Sequence, residues 1–124
     1  MTPEQQQQFV KALYEAFNRR DIETVIAQMQ PDVEWANGTN GGHVHGHDAV
    51  RSYWRRQFQV IEPHMEVLHF DKDDEGRFII TVRQVVRDMG GQVLLEKTLG
   101  QRFAMKDGLI HRFDILELQP QGEL

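Results

Sequence analysis

The chain contains 124 residues, no cysteine and a formal net charge of -5 at pH 7, which suits one domain over residues 1–124 with its own core. The lack of cysteine excludes a disulfide framework and thiolate chemistry. The acidic balance argues against nucleic acid or an anionic membrane as a partner. No apolar run is long enough to span a bilayer, and no basic and apolar leader is apparent, so we expect a cytoplasmic protein.

Hydrophobic residues at helical spacing predict two helices at the start of the chain. Thr2 and Gln5 form a capping box, and Pro3 suits the first helical position. Asp21 is predicted to cap a short second helix, which Pro31 ends.

A glycine-rich segment, residues 35–48, follows a short strand at Val33–Trp35 and holds four glycines and three histidines. Glycine-rich loops contribute little to a core, whereas loops on a rigid scaffold often carry binding groups. We therefore predict that this segment forms the rim of a pocket. Asp48 is predicted to open a third helix, and Pro63 to stop it.

Beyond Pro63 the hydrophobic period changes to two residues, which predicts four strands in a meander. Helices followed by antiparallel strands define an α+β fold. The strands are long enough to require a strongly bent mixed or antiparallel sheet, with a kink expected at Gly100. Three N-terminal helices on its concave side would form a cone with one open end. The predicted strands are Met65–Phe70, Arg77–Asp88, Val93–Lys106 and Leu109–Leu118, and a polar tail starts at Gln119.

Four segments of the chain resemble the nuclear transport factor 2-like superfamily, which includes ketosteroid isomerase, SnoaL-type polyketide cyclases and limonene epoxide hydrolase. They are Tyr14–Asp21, Pro31–Trp35, His45–Val50 and Asp107–Ile110. The resemblance implies a cystatin-like cone with a conical pocket, and a homodimer formed through the sheet. Because the family includes enzymes and non-catalytic members alike, the resemblance specifies fold better than function.

The catalytic positions of these relatives are incompletely represented. By resemblance, the base of ketosteroid isomerase falls on Asn37, which cannot accept a proton. The position of its tyrosine falls on Leu13, beside Tyr14, and its protonated aspartate falls near Gly100. Steroid isomerase chemistry is therefore not expected. Asp114, after a phenylalanine, is similar to the acid–base aspartate of SnoaL-type cyclases.

Polar side chains on otherwise apolar faces indicate candidate binding residues, because burying each unpaired costs about 1–3 kcal/mol. Gln57, Gln84 and Gln101 stand out in this way, as does Lys97. With nearby aromatic residues they predict a site for a small hydrophobic, ring-bearing molecule. The alternatives are a solvent-exposed sheet edge or helix rim for Gln57 and Gln84, and a filled core for Trp35, Trp54 and Phe58. The predicted ligand-binding residues are Tyr14, Trp35, Asn37, Tyr53, Trp54, Gln57, Phe58, Gln84, Gln101 and Phe103.

Three residues are candidates for acid–base catalysis. His111 alternates with Phe113, and an imidazole in a pocket is suited to proton transfer near neutral pH. Its alternative role is that of a core or interface histidine. Asp114 is a candidate by resemblance, although strand alternation places it on the opposite face. His45 is a candidate to hydrogen-bond a ligand at the pocket mouth, and its alternative role is that of a solvated loop histidine.

Alternate histidines at His43, His45 and His47 also suggest a metal site, to which Asp48 could add an oxygen. Asp48 is better explained as a helix cap, and no distant ligand is evident. We therefore predict neither a metal nor another cofactor.

Three functions are compatible with these patterns. The first is a cofactor-free isomerase, cyclase or hydrolase acting on a carbonyl or ring-bearing substrate. The second is a non-catalytic ligand-binding domain of the same fold, and the third is a structural dimerisation module.

Overall fold

The computed structural model of the protein describes residues 1–38 and 41–117. Thr39 and Asn40 of the glycine-rich segment lie outside the described residues, as do Leu118 and the predicted tail from Gln119. The elements in chain order are α1 Pro3–Asn18, α2 Ile22–Ile26, β1 Met29–Ala36, β2 His43–His45, α3 His47–Val60, β3 Ile61–Lys72, β4 Phe78–Asp88, β5 Val93–Lys106 and β6 Leu109–Leu116.

The six described strands form a mixed sheet in the order β2-β1-β6-β5-β4-β3. Strands β3 to β6 make the predicted antiparallel meander. Strand β1 runs parallel to β6, and the short β2, which was predicted as loop, pairs antiparallel with β1. The predicted α+β class, with helices packed on a mixed sheet, is confirmed.

The capping chemistry of the first two helices follows the sequence closely. Thr2 and Gln5 exchange both hydrogen bonds of a capping box. The Asp21 carboxylate accepts from the backbone N–H of Thr24 and begins α2.

Among the described residues, no helix combines the length and the apolar character of a membrane-spanning segment.

The boundaries of α3 differ from the prediction. Its N-cap residue is Gly46, whose φ of 86° favours glycine. Gly46 has no side chain, so no capping hydrogen bond from a side chain is made there. Asp48 instead lies in the first turn and pairs with Arg51 at 2.7 Å. The helix ends at Val60, and Pro63 lies buried within β3. An edge strand tolerates proline there because no neighbouring strand needs its missing N–H. Pro31 likewise lies inside β1.

The strand pairing of the described sheet shifts register at several places, and none of these is at Gly100, where a kink was expected. Gly100 pairs regularly with Thr81 and Leu116. The register between β5 and β6 shifts where Ala104 faces Arg112 and Met105 faces Ile110, so one extra residue, His111, lies in a bulge. A bulge changes which side chains face inward beyond it, and periodicity does not reveal it.

The outer edge of β3 is protected by a side chain from α1. Asn18 Nδ2 donates to the Met65 carbonyl at 2.8 Å, and the Met65 N–H donates to Asn18 Oδ1 at 3.0 Å. The amide thereby supplies both hydrogen bonds that a further strand would make at this residue. Asn18 belongs to one of the segments that resemble the superfamily, and this contact gives it a structural role.

Aromatic rings pack where the helices meet the sheet. The Trp35 ring stacks on Phe113 with centroids 4.2 Å apart and meets Trp54 edge-on at 5.2 Å. Phe103 lies 5.0 Å from Phe113. All four of these rings line a cavity beside them.

Candidate functional site

A cavity of about 460 Å3 lies between the inner face of the sheet and helices α1 and α3. Nine of the ten predicted ligand-binding residues lie on its wall: Tyr14, Trp35, Asn37, Tyr53, Trp54, Gln57, Gln84, Gln101 and Phe103. Phe58 does not. Its ring is half-buried against Phe17, with centroids 5.6 Å apart, and against Trp54.

Sequence patterning missed much of the apolar wall. The missed residues occupy inward positions with ordinary strand or helix spacing, which predicts burial without distinguishing a cavity wall from a filled core. They include Leu13, Phe17, Pro63, Met65, Val86, Leu95, Leu99, Phe113 and Ile115.

The buried end of the cavity holds a hydrogen-bonded pair of side chains. Tyr14 is 6% exposed and Gln101 is 5% exposed, and the Tyr14 hydroxyl donates to Gln101 Oε1. Burial raises the pKa of Tyr14 well above its ordinary value of 10.0, so its hydroxyl stays protonated. Among the described residues, Gln101 Nε2 has no acceptor. The pair therefore presents an amide N–H donor to an apolar cavity.

A second polar group on the wall is built around Tyr53 of α3. Its hydroxyl oxygen accepts from the Gly38 backbone N–H and from Gln57 Nε2, each at 3.1 Å. Within the described part of the chain no acceptor takes the hydroxyl hydrogen. Tyr53 thus connects the glycine-rich segment to α3 and keeps one donor for a ligand.

Few titratable side chains line the cavity among the residues that the structure describes. They are Tyr14 and Tyr53, described above, and Lys97 and Glu117, which are both exposed. The wall includes no histidine or aspartate among the residues described. This composition suits binding and polarisation of a ligand better than proton transfer at neutral pH.

The three predicted acid–base residues lie away from this wall. His45 is exposed on β2. His111 occupies the bulge of β6, so the alternation that predicted an inward-facing side chain for it is broken there. Phe113 and Ile115 do face the cavity. Its Nδ1 atom is buried with no hydrogen-bond partner. Asp114 follows Phe113 and projects from the opposite face of the sheet.

Asp114 is the centre of an ion-pair network on the outer face. Its carboxylate contacts Arg112 at 2.8 Å, His43 Nε2 at 2.8 Å and Arg102 at 3.3 Å. Arg112 also pairs with Glu34. Burial alone would raise the pKa of Asp114, but the hydrogen bonds from Arg112, His43 and Arg102 outweigh it and lower the pKa to about 2. The structure thus gives Asp114 a stabilising role on this face.

Replacing Asp114 with Asn should lower the free energy of unfolding by about 2 kcal/mol at pH 7, since the pKa falls from 3.8 to about 2 on folding. Because the folded-state pKa is depressed, this contribution is present above pH 4 or so and is lost as the pH falls toward about 2. Urea unfolding from pH 2 to 7 measures it. Asp71→Asn, at an exposed carboxylate, is the control. An equal loss at every pH would contradict the assignment.

The three histidines of the glycine-rich segment do not converge. His43 contacts Asp114, and His47 Nε2 bonds the Met29 carbonyl at 2.9 Å. Among residues 1–38 and 41–117, no three His, Asp or Glu side chains are close enough to share a metal ion.

The arrangement of a bent mixed sheet, N-terminal helices and an inner cavity defines a class of small α+β domains. The chain belongs to the SnoaL-like domain family, whose model matches residues 10–113. A comparison with curated proteins gives no match.

Solved structures with the same fold include an NTF2-like protein of unknown function from Burkholderia pseudomallei, with 28% identity and a TM-score of 0.76 over 88% of this chain and 87% of that one. A candidate polyketide cyclase from Xanthomonas campestris pv. campestris has 27% identity and a TM-score of 0.70 over 88% and 87%. TerC, crystallised with polyporic acid, has 23% identity and a TM-score of 0.74 over 87% of each chain.

Proposed function

We propose that the cavity binds a small, largely apolar, ring-bearing molecule through an acceptor oxygen such as a carbonyl. The observation that carries this proposal is the Gln101 amide N–H, which faces an apolar cavity without an acceptor among the described residues. Because this N–H is reached from the cavity, an acceptor on a ligand can take the hydrogen bond that solvent otherwise makes.

The size and lining of the cavity support the same class of ligand. A volume of about 460 Å3 lies within the range of small-molecule sites. Trp35, Trp54 and Phe103 offer ring faces and edges to an aromatic or alicyclic body. The Tyr53 hydroxyl supplies a second donor, so a ligand with two acceptor groups suits the wall best.

A cofactor-free isomerase or cyclase is the second candidate function. The similarity to a candidate polyketide cyclase favours it, and donors aimed at a carbonyl oxygen can stabilise an enolate. Proton abstraction would then fall to Glu117, which is the one carboxylate on the described wall. This assignment does not use His45, His111 or Asp114.

The binding proposal is tested with two probes of matched shape, 2-acetylnaphthalene and 2-ethylnaphthalene. A ligand that binds the folded state raises the melting temperature. We expect the ketone to raise it more than the hydrocarbon does, because only the ketone accepts hydrogen bonds. Tyr14→Phe/Gln101→Leu, which also removes the hydroxyl donor that Gln101→Leu alone would free, should abolish the difference between the two. Equal shifts in the wild-type protein would contradict the proposal.

The catalytic candidate makes a separate prediction in deuterium oxide. If it is correct, the protein should accelerate deuterium exchange at the methyl group of bound 2-acetylnaphthalene, and Glu117→Gln should abolish the acceleration. NMR measures this exchange directly. Binding without acceleration would reject the catalytic candidate and retain the binding function.

A further inference from the structure

The rim of the cavity carries a polar pair on neighbouring strands. Lys97 of β5 lies directly opposite Gln84 of β4 in the sheet register, and both line the cavity. On the same face of β5, Leu95 and Leu99 flank Lys97. A cation between two leucines interrupts an otherwise apolar strip of the wall.

Lys97 has no anionic partner in the described part of the chain. Most arginines of the protein are paired; Arg83, for example, contacts Glu96 on the outer face of the same two strands. No lysine among the described residues forms an ion pair, and Lys97 is the one of them that lines this cavity; it is not paired with Glu117, the other charged residue of the rim. Its ammonium group is therefore available to a ligand.

The distance from this rim to the buried donor limits the size of the ligand. Gln101 and Lys97 lie four residues apart on one strand face, which corresponds to about 13 Å between their backbones. A bicyclic molecule with polar groups at its two ends spans such a distance once both side chains reach inward.

We infer that the ligand is an amphipathic organic acid, and this inference rests on the proposed binding function. Its apolar rings occupy the cavity, its carbonyl oxygen accepts from Gln101, and its carboxylate lies at the rim. The Lys97 ammonium and the Gln84 amide N–H bind that carboxylate, a pairing stronger than one between neutral groups. If Lys97 only extends its ammonium into water, the protein will show no preference for acids.

The test compares 6-acetyl-2-naphthoic acid with its uncharged methyl ester by isothermal titration calorimetry. We expect the acid to bind roughly tenfold more tightly at low salt, and the preference to shrink at 0.5 M salt or so because exposed charges are screened. Lys97→Met should remove the preference, so that the acid and the ester bind with similar affinities. Lys106→Met, at an exposed lysine of the same strand away from the wall, should retain the preference.

The possible results distinguish the carboxylate site at Lys97 from the more general binding function of the cavity. If the ester binds and the acid binds no more tightly, the carboxylate site is wrong and the binding function stands. If Lys97→Met and Lys106→Met reduce the preference equally, the effect arises from net charge, and the site is again wrong. If neither compound binds at any salt concentration, both proposals fail.

Discussion

The double variant Tyr14→Phe/Gln101→Leu is expected to be nearly as stable as the wild-type protein, whereas each single replacement should cost about 1–3 kcal/mol. Tyr14→Phe leaves the buried Gln101 amide without its donor, and Gln101→Leu leaves the Tyr14 hydroxyl without its acceptor. Removing both partners replaces a buried polar pair with apolar groups of similar size. Urea unfolding of the four proteins gives the coupling energy directly.

The same double variant separates stability from function. It should fold with the cavity intact and yet lose the preference for 2-acetylnaphthalene over 2-ethylnaphthalene, because the Gln101 N–H is gone. Additive losses in the single variants would show that Tyr14 and Gln101 are energetically independent. A folded double variant that still prefers the ketone would show that the pair does not bind the acceptor oxygen.

Asn18→Ala is expected to lower the free energy of unfolding by about 2–4 kcal/mol, since it leaves the N–H and C=O of Met65 without partners. Both groups are partly buried beneath α1. Asn18→Asp is the matched control, because it keeps an acceptor for the Met65 N–H but loses the donor to the Met65 carbonyl. Its loss should therefore be intermediate when measured by urea unfolding at pH 7.

Hydrogen exchange at Met65 provides an independent measurement of this contact. The Met65 amide proton should exchange much faster in Asn18→Ala than in the wild-type protein, while amides paired between β4 and β5 change only through global stability. A variant as stable as the wild type, with Met65 still protected, would contradict the role assigned to Asn18.

Local patterns predicted the fold because they agree with one another along most of the chain. The Thr2 cap, the Asp21 cap and the strand alternation from Leu95 to Phe103 all appear in the structure as the sequence indicates. The glutamine at 101 was identified for a physical reason: an amide on an apolar strand face needs a partner. The structure supplies that partner as Tyr14, which the sequence placed among the ligand-binding residues without indicating this hydrogen bond.

Prediction from the sequence failed where a backbone irregularity, or a contact between residues distant in the chain, determines the structure. Alternation predicted an inward His111, but the bulge in β6 takes up that residue. Pro63 was expected to stop a helix, whereas an edge strand accommodates it. No local pattern shows that Asn18 reaches β3, because the contact joins residues far apart in the chain. A sequence pattern thus shows which residues share one face of a strand more readily than it shows whether that face borders a cavity or a filled core.

The central claim is that the Gln101 side-chain N–H binds an acceptor oxygen inside the cavity. Titrating 15N-labelled protein with 2-acetylnaphthalene tests it most directly, with the Gln101 side-chain amide signals assigned from their absence in Gln101→Leu. We predict that these signals shift downfield on saturation with the ketone and not with 2-ethylnaphthalene. Saturable binding of the ketone that leaves the Gln101 amide signals unmoved would contradict the claim.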